Sequence, residues 1–169
     1  MKRIIASFAA ATAVAIAAPA FAGTPSFAPA GTDVTLAGNL SVSQTVSLSC
    51  TASFVIGVDA TGTSASLKSA ALSGGFLGLC GSVKFPQLPS TPRPIEIVTP
   101  NASSVGDATR LRIVGLQVTT VSGSCTGDLE FDWNNTTKQA SFVGSTITGG
   151  CNINGTLNSS NPAVSIKRI

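Results

Sequence analysis

The most regular part of the sequence is an alternation of apolar and hydroxyl side chains from Leu40 to Cys50. Apolar residues occupy the even positions except for Gln44, and serine or threonine occupies every odd position. Successive side chains of a β-strand point to opposite faces, so this alternation places the apolar residues on one face. It predicts a half-buried antiparallel strand with a hydroxyl-lined outer face.

A longer pattern occurs twice in the chain. Residues 46–75 align without a gap with residues 121–150. Each copy contains an opening cysteine and ends in Gly-Gly and a second cysteine, and the first copy inserts residues 76–79 before its second cysteine. The alignment indicates an internal duplication, with chance resemblance of two Ser/Thr/Gly-rich hairpins as the alternative. The bracketing cysteines are Cys50 and Cys80 in the first copy, and Cys125 and Cys151 in the second.

Each copy predicts a β-hairpin. Three large apolar residues at alternate positions line one face of its first strand, and a turn rich in small polar residues follows. In its second strand the main apolar residues are five positions apart, a spacing that cannot keep one face of a regular strand and therefore predicts a bulge. The triplets are Phe54, Ile56, Val58 and Leu129, Phe131, Trp133; the widely spaced pairs are Leu67, Leu72 and Phe142, Ile147.

Prolines separate the two copies. The connection at about residues 85–108 contains five prolines, which exclude a helix and a central strand there. We expect a long connection or a sheet edge, with residues 95–98 as a short strand inside it. Outside residues 1–22, no segment has the apolar periodicity of a helix. We therefore expect residues 23–169 to form a single all-β domain. The expected architecture is an antiparallel β-sandwich built from two related cysteine-bracketed hairpin units, at about residues 40–98 and 115–169.

Residues 1–22 have the three parts of a secretory signal peptide. Lys2 and Arg3 provide the basic start, residues 4–18 the apolar stretch, and Ala-Phe-Ala the cleavage site. We expect cleavage before Gly23 and a secreted or cell-surface protein, with an uncleaved anchor as the alternative. No later segment has the run of about 18 apolar residues that a membrane helix needs, so no transmembrane anchor is expected after cleavage.

All four cysteines follow the predicted cleavage site. An even number of cysteines in an exported chain predicts two disulfides, because extracellular and periplasmic spaces are oxidising. Zinc is the alternative, but structural zinc sites use closely spaced pairs, and these cysteines stand 30, 45 and 26 positions apart. Four cysteines allow three pairings. A bridge within each copy is the simplest of them, and the sequence leaves the choice open.

The composition excludes several kinds of function. Residues 23–169 carry eight basic and seven acidic side chains, so the chain has no strongly positive surface for nucleic acid or anionic lipid. The sequence has no histidine and no tyrosine, which removes Ser-His and Cys-His catalysis, the common zinc catalytic sites and a phenolic acid. Nucleophile-elbow, P-loop and dinucleotide motifs are also missing. We expect a protein that is not an enzyme and needs no cofactor.

One group of acidic residues has a functional interpretation. Asp128, Glu130 and Asp132 alternate, and so project from one face of a strand. A calcium site or the carboxylate pair of a glycoside hydrolase is one interpretation. A solvated strand face that discourages edge pairing is the other, and we favour it, expecting neither metal ligands nor catalytic residues. Trp133 is able to stack on a sugar, but its place in the apolar triplet favours core packing.

The glycine-rich insertion carries Phe76, Leu77 and Leu79. Large apolar residues on a loop form an exposed patch when the loop stands away from the core, and such patches mark contacts with a partner or an oily surface. The alternative is a loop folded back over the core. We predict these three residues as an apolar contact surface, with the second possibility left open.

Several short motifs occur in a distinctive order. “WNN” at residues 133–135 precedes “ASF” at 140–142, “GGC” at 149–151 is followed by “INGTL” at 153–157, and “NPAVSI” stands at 161–166. The chain also has a predicted signal peptide, an all-β pattern and four cysteines. Together with the order and spacing of these motifs, they make the chain resemble the PraB-like family of alkane oxidation protein activators. Two features depart from the family's pattern. One is the proline-rich connection, and the other is the alternating set Asp128, Glu130 and Asp132, which we call the acidic ladder.

The resemblance implies a secreted, non-catalytic protein linked to growth on hydrocarbons and to the cell surface or biofilm, with no catalytic residues to transfer. It favours an accessory protein that aids contact with or uptake of hydrocarbons, with apolar surfaces or hydrocarbon droplets as partners. The alternative is a self-assembling structural subunit of extracellular fibres or biofilm matrix. In that case, residues 23–40 would leave their own domain and complete a neighbour's sheet by strand complementation.

Overall fold

The computed structural model describes residues 23–169, and the predicted signal peptide lies outside the described residues. The described chain forms eleven β-strands and one short 3₁₀ helix. The strands are β1 (Pro25–Ala28), β2 (Asp33–Ser43), β3 (Ser47–Val58), β4 (Ala65–Ser73), β5 (Arg93–Thr99), β6 (Gly106–Asp107), β7 (Arg110–Thr120), β8 (Gly123–Asn134), β9 (Gln139–Ile147), β10 (Cys151–Ser159) and β11 (Ser165–Arg168). The 3₁₀ helix is Phe76–Ser82, and it is kinked at Leu77 and Gly78, where the backbone is not helical.

The all-β prediction is confirmed, but the two-sheet sandwich is not. Eight strands close into one barrel in the order β2, β3, β4, β5, β7, β8, β9 and β10, each antiparallel to the next. The short strand expected inside the proline-rich connection is present as β5, but it pairs with both β4 and β7, so the expectation that prolines exclude a central strand there was wrong. Pro94 is tolerated near the start of β5, where a missing N–H disrupts few hydrogen bonds. The barrel closes where Asn152–Ser159 of β10 pair with Leu36–Ser43 of β2, which joins the two strands whose edges would otherwise stay open. Sandwiches and barrels share the same inward–outward alternation, so the sequence pattern does not separate them.

The stretch from Leu40 to Cys50 is a hairpin, not the single strand that its alternation predicted. β2 ends at Ser43, residues 44–46 turn, and β3 begins at Ser47. The register sets Leu40 opposite Cys50, so residues that point into the barrel on β2 face residues that point into the barrel on β3. A turn of three residues preserves the even–odd alternation, and Gln44, the one lapse in the pattern, marks its start.

The two copies of the repeat form the hairpins β3–β4 and β8–β9. Both predicted bulges are present. In β4 the register shifts at Lys68, which lies between Leu67 and Ser69. In β9 two residues, Val143 and Gly144, stand opposite one residue of β10. Lys68 and Val143 are equivalent positions of the repeat, so both copies bend their second strand at the same place.

The barrel interior is packed with side chains. Rings of the two copies meet there, with centroid distances of 6.3 Å between Phe54 and Phe142 and 5.0 Å between Phe131 and Phe142. Trp133 is a core residue, 4% exposed, and its indole N–H donates to Asn135 Oδ1 at 2.8 Å. An apolar cavity of about 20 Å³ remains, room for about one water molecule. This cavity is too small to hold a hydrocarbon chain.

One end of the barrel is covered by a second, three-stranded sheet in the order β1, β11, β6. Phe27 of β1 and Ile166 of β11 face barrel residues across the small cavity. Asn135 fixes this cover, since its side-chain amide donates to the carbonyl of Ile166 at 2.7 Å and its Oδ1 accepts the N–H of Ile166 at 2.9 Å. We refer to this end as the capped end.

Candidate functional site

The other end of the barrel is formed by three tight turns and the 3₁₀ helix. The turns are residues 44–46, 121–122 and 148–150, which join β2 to β3, β7 to β8 and β9 to β10. Gln44 connects all three turns: its Nε2 donates to Gly149 O at 3.2 Å, and its Oε1 accepts the hydroxyl of Thr120 at 2.8 Å. Because the strands run alternately up and down, these connections lie opposite the capped end.

This end exposes large apolar side chains. Phe76 is 77% exposed and Leu77 is 84% exposed, so the insertion stands away from the core and does not fold back over it. Val46 and Val121 are also exposed, and they occupy equivalent positions in the two copies of the repeat. Five of the eight exposed large apolar residues in the described chain lie here. We call them the apolar end: Val46, Phe76, Leu77, Leu79 and Val121.

The backbone holds Leu77 in a conformation that leucine disfavours. Leu77 has a φ of 52°, in the left-handed region, and Gly75 and Gly78 beside it have φ of 73° and 74°. A left-handed conformation costs a residue with a Cβ about 1–2 kcal/mol. Strain of this kind is retained where surrounding structure imposes it, and it points to a functional site. Leu77 thus combines a disfavoured backbone conformation with a largely exposed apolar side chain.

The insertion is anchored to the barrel by a disulfide. The structure pairs Cys50 of β3 with Cys80 of the 3₁₀ helix, and Cys125 with Cys151, so one bridge lies within each copy. Cys80 is fully buried. A Cβ at Gly75 would lie 2.5 Å from Cys80 Sγ, so only glycine fits beside the bridge. The apolar side chains are therefore displayed from a fixed base.

Charged residues are scarce in the chain around the apolar end. Residues 44–50, 73–83, 118–127 and 146–152 contain no Lys, Arg, Asp or Glu. Lys84 follows directly, is exposed, and pairs through its backbone with Thr119. The capped end is rich in charge: Asp33, Asp59, Asp107, Arg110, Asp132, Lys138, Lys167 and Arg168 lie at or near it. The protein thus has an apolar end with few charges and a charged end, separated by the length of the barrel. Such a molecule is able to enter an apolar phase at one end with little burial of charge.

The acidic ladder lies on the side of the barrel and is paired with arginines of β7. Glu130 accepts from Arg110 at 2.9 Å. Asp128 lies 3.6 Å from Arg112 and accepts the N–H of Gly115 at 2.8 Å. Asp132 stands opposite Arg110 in the strand register. Within residues 23–169, no group of three or more His, Cys, Asp or Glu is arranged to hold a metal ion.

A carboxylate of β5 extends this network. Glu96 accepts a hydrogen bond from Arg112 at 2.6 Å. This hydrogen bond and the negative charge of Glu96 raise the pKa of the Arg112 guanidinium above its ordinary value. The ion pairs are solvent-exposed and each contributes at most about 1 kcal/mol. Their main effect is to match charges across β5, β7 and β8.

Leu77→Gly is expected to leave the protein as stable as the parent or up to about 1 kcal/mol more stable, because glycine adopts a positive φ without strain. The matched control is Leu79→Gly, which removes a leucine of the same helix without a positive φ and is expected to destabilise by about 0.5–1 kcal/mol. Urea unfolding at equilibrium measures both. A loss above about 1 kcal/mol for Leu77→Gly would show that Leu77 packs rather than projects.

One family model matches nearly the whole chain. The family model described as “Alkane oxidation protein activator PraA/PraB-like” matches residues 1–168. The chain belongs to this family. No curated protein and no solved structure matches the chain. The PraA/PraB-like assignment confirms the resemblance that the motifs indicated. In the described part of this PraA/PraB-like protein, no helix has the length and hydropathy that a membrane crossing requires.

Sequence reasoning found three of the five residues of the apolar end. It named Phe76, Leu77 and Leu79 as a possible apolar contact surface, with a loop folded over the core as the alternative, and it missed Val46 and Val121. Val46 was assigned to the buried face of a continuous strand, whereas it lies in the turn after β2. Its equivalence to Val121 in the repeat was the available signal, because both precede the first cysteine of a copy by four positions.

Proposed function

We propose that this PraA/PraB-like protein is an exported, non-catalytic accessory protein that adsorbs to hydrocarbon–water interfaces through its apolar end. The observation that carries the proposal is the division of the barrel into an end with few charges and five exposed apolar side chains and a charged, capped end. The family name, which refers to alkane oxidation, supports hydrocarbon as the apolar phase.

Energetics support adsorption at the interface over uptake into the barrel. Removing a large apolar side chain from water contributes about 1.5–3 kcal/mol, so Phe76, Leu77 and Leu79 together supply several kcal/mol. Ions are expensive to transfer into hydrocarbon, and the charges of the capped end keep that end in water. The packed interior leaves the outer surface of the protein as the place of contact.

Export is part of the proposal. Residues 1–22 act as a signal peptide that is removed before Gly23, and the protein then works outside the cytoplasm. Two disulfides are compatible with this location, because they form and persist in oxidising compartments. The four cysteines are structural, and no side chain serves as a catalytic group.

The wild-type protein, residues 23–169, is expected to lower the tension of a hexadecane–water interface and to adsorb with the capped end in water. Lysine acetylation in an emulsion measures the orientation. Lys138 and Lys167 should react equally in solution and on droplets, while amide exchange at residues 76–79 slows on droplets. Absence of adsorption, or protection of Lys138 and Lys167 instead, would contradict the proposal.

The fibre alternative finds less support in the N-terminal segment. β1 pairs with β11, and β2 pairs with β3 on one side and β10 on the other. Releasing residues 23–40 to complete a neighbour would therefore open the barrel and remove both sets of hydrogen bonds from β2. The pairing of β1 and β2 therefore favours adsorption at an interface over assembly through the N-terminal segment.

A further inference from the structure

The barrel wall has a seam beside the second half of β4. β4 pairs with β3 along its whole length on one side. On its other side, β4 pairs with β5 only at residues 65–67, because β5 begins at Arg93 opposite Leu67. In an antiparallel strand, every second residue directs both its N–H and its C=O toward the same neighbour. Residues 69–73 of β4 therefore direct backbone groups into the seam.

The strand on the far side of the seam, β7, has partners for its facing groups. Lys84 and Thr119 exchange two backbone hydrogen bonds of 2.9 and 2.8 Å. Gln87 Oε1 accepts the N–H of Gln117 at 3.0 Å. The chain between the 3₁₀ helix and β5 thus lies along β7 and leaves β4 unpaired. For residues 69–73, no hydrogen bond to the seam side is formed within the described chain.

A groove of about 520 Å³ lies along this unpaired half of β4. One wall is residues 70–72, and the opposite wall is formed by the chain that lies along β7. Val83 and Phe85 of that wall belong to the core and are buried, so its accessible apolar surface comes from Pro86 and Leu88, and its one charged side chain is Lys84. The groove therefore combines free backbone hydrogen-bonding groups with an apolar wall, which is the combination that binds an extended peptide.

We propose that this groove binds one extended segment of a partner polypeptide, which adds to β4 as a further strand. The groove has a wall on each side. It therefore accepts a single extended strand and excludes a strand that is already paired within a sheet. Side chains on one face of the segment contact Pro86 and Leu88, since strand side chains alternate in direction. Lys84, which has no salt bridge to a described residue, selects a segment with an acidic residue or a terminal carboxylate at that position.

The probe is a labelled seven-residue peptide, Thr-Val-Thr-Val-Thr-Val-Glu, titrated into the protein of residues 23–169. We expect saturable binding with a Kd on the order of 100 µM and slower amide exchange at residues 69–73. Two control peptides carry backbone N-methyl groups on alternate residues, one on the odd positions and one on the even positions. One of them presents its methyl groups to β4 and should bind about tenfold more weakly or worse, while the other retains most of the affinity.

A charge exchange tests the contact with Lys84. Lys84→Glu is expected to weaken binding of the glutamate peptide several-fold and to strengthen binding of a peptide that ends in lysine. Lys84 is exposed, so this variant should fold as the parent does. Equal affinity of the two methylated peptides, or no saturable binding in the millimolar range, would overturn the proposal.

The groove and the apolar end are tested independently. Protection of residues 69–73 by a concentration-dependent dimer in the absence of peptide would assign the groove to a second copy and would also overturn the proposal. The groove uses residues other than those of the apolar end. Peptide binding should therefore survive Phe76→Ser, and adsorption should survive Lys84→Glu.

Discussion

Replacing Phe76 and Leu77 together by serine is expected to reduce adsorption to hexadecane by more than about 100-fold. Both side chains are almost fully exposed in water, and each contributes about 1.5–3 kcal/mol when an apolar phase covers it. Their combined loss of at least about 3 kcal/mol corresponds to this factor. Depletion of the protein from the aqueous phase of an emulsion, measured against protein concentration, gives the change in partition constant.

The control for this experiment is the double variant Val105→Ser with Val143→Ser. Val143 is 81% exposed at the bulge of β9, and Val105 is exposed in the connection before β6, so neither belongs to the apolar end. We expect adsorption within about twofold of the parent, because these side chains remain in water on the bound protein. All variants should keep the parent's far-ultraviolet dichroism. An equal loss in both double variants would refute a specific role for the apolar end.

Removing the disulfide of the first copy, by Cys50→Ala with Cys80→Ala, is expected to lower the free energy of unfolding by about 3–4 kcal/mol. The bridge joins residues 30 positions apart, and the loop-entropy relation gives this magnitude for a loop of that length. The same variant should also lose adsorption, because the 3₁₀ helix that presents Phe76 and Leu77 is held to β3 through Cys80. Urea unfolding measures the stability, and the hexadecane emulsion measures the adsorption.

The second disulfide supplies the matched control. Cys125→Ala with Cys151→Ala opens a loop of nearly the same length, 26 positions, and should cost nearly the same stability. This bridge joins β8 to β10 and anchors no exposed apolar loop, so adsorption should stay close to that of the parent under conditions where the variant is folded. Parallel loss of adsorption in both variants would mean that general stability, not anchoring of the insertion, governs the contact.

The two copies of the repeat show how far the sequence led. The odd spacing of Leu67 and Leu72 was sufficient to predict a bulge, because a regular strand cannot place both on one face, and the register shifts at Lys68. The glycine-rich insertion was sufficient to place Phe76 and Leu77 as candidates for an exposed surface. The family resemblance also followed from the sequence alone, through the order of short motifs in the second copy.

The hairpin at residues 44–46 shows where the sequence misled. An alternation that continues through a three-residue turn is indistinguishable from one long strand, since inward positions remain at even numbers. This missed turn concealed the exposure of Val46. The barrel was concealed for a related reason, because the inward–outward pattern reports which face of a strand is buried and not which strand lies beside it.

The sequence by itself determined the strand faces, the duplicated hairpins, the bulges and the absence of histidine and tyrosine, because each depends on residue identity and local spacing. Tertiary structure alone decided that β10 closes on β2, that Val46 and Val121 meet the insertion at one end, and that half of β4 lacks a partner. These features arise from contacts between residues far apart in the chain. Local periodicity carries no information about such contacts, which are chosen by the packing of the whole barrel.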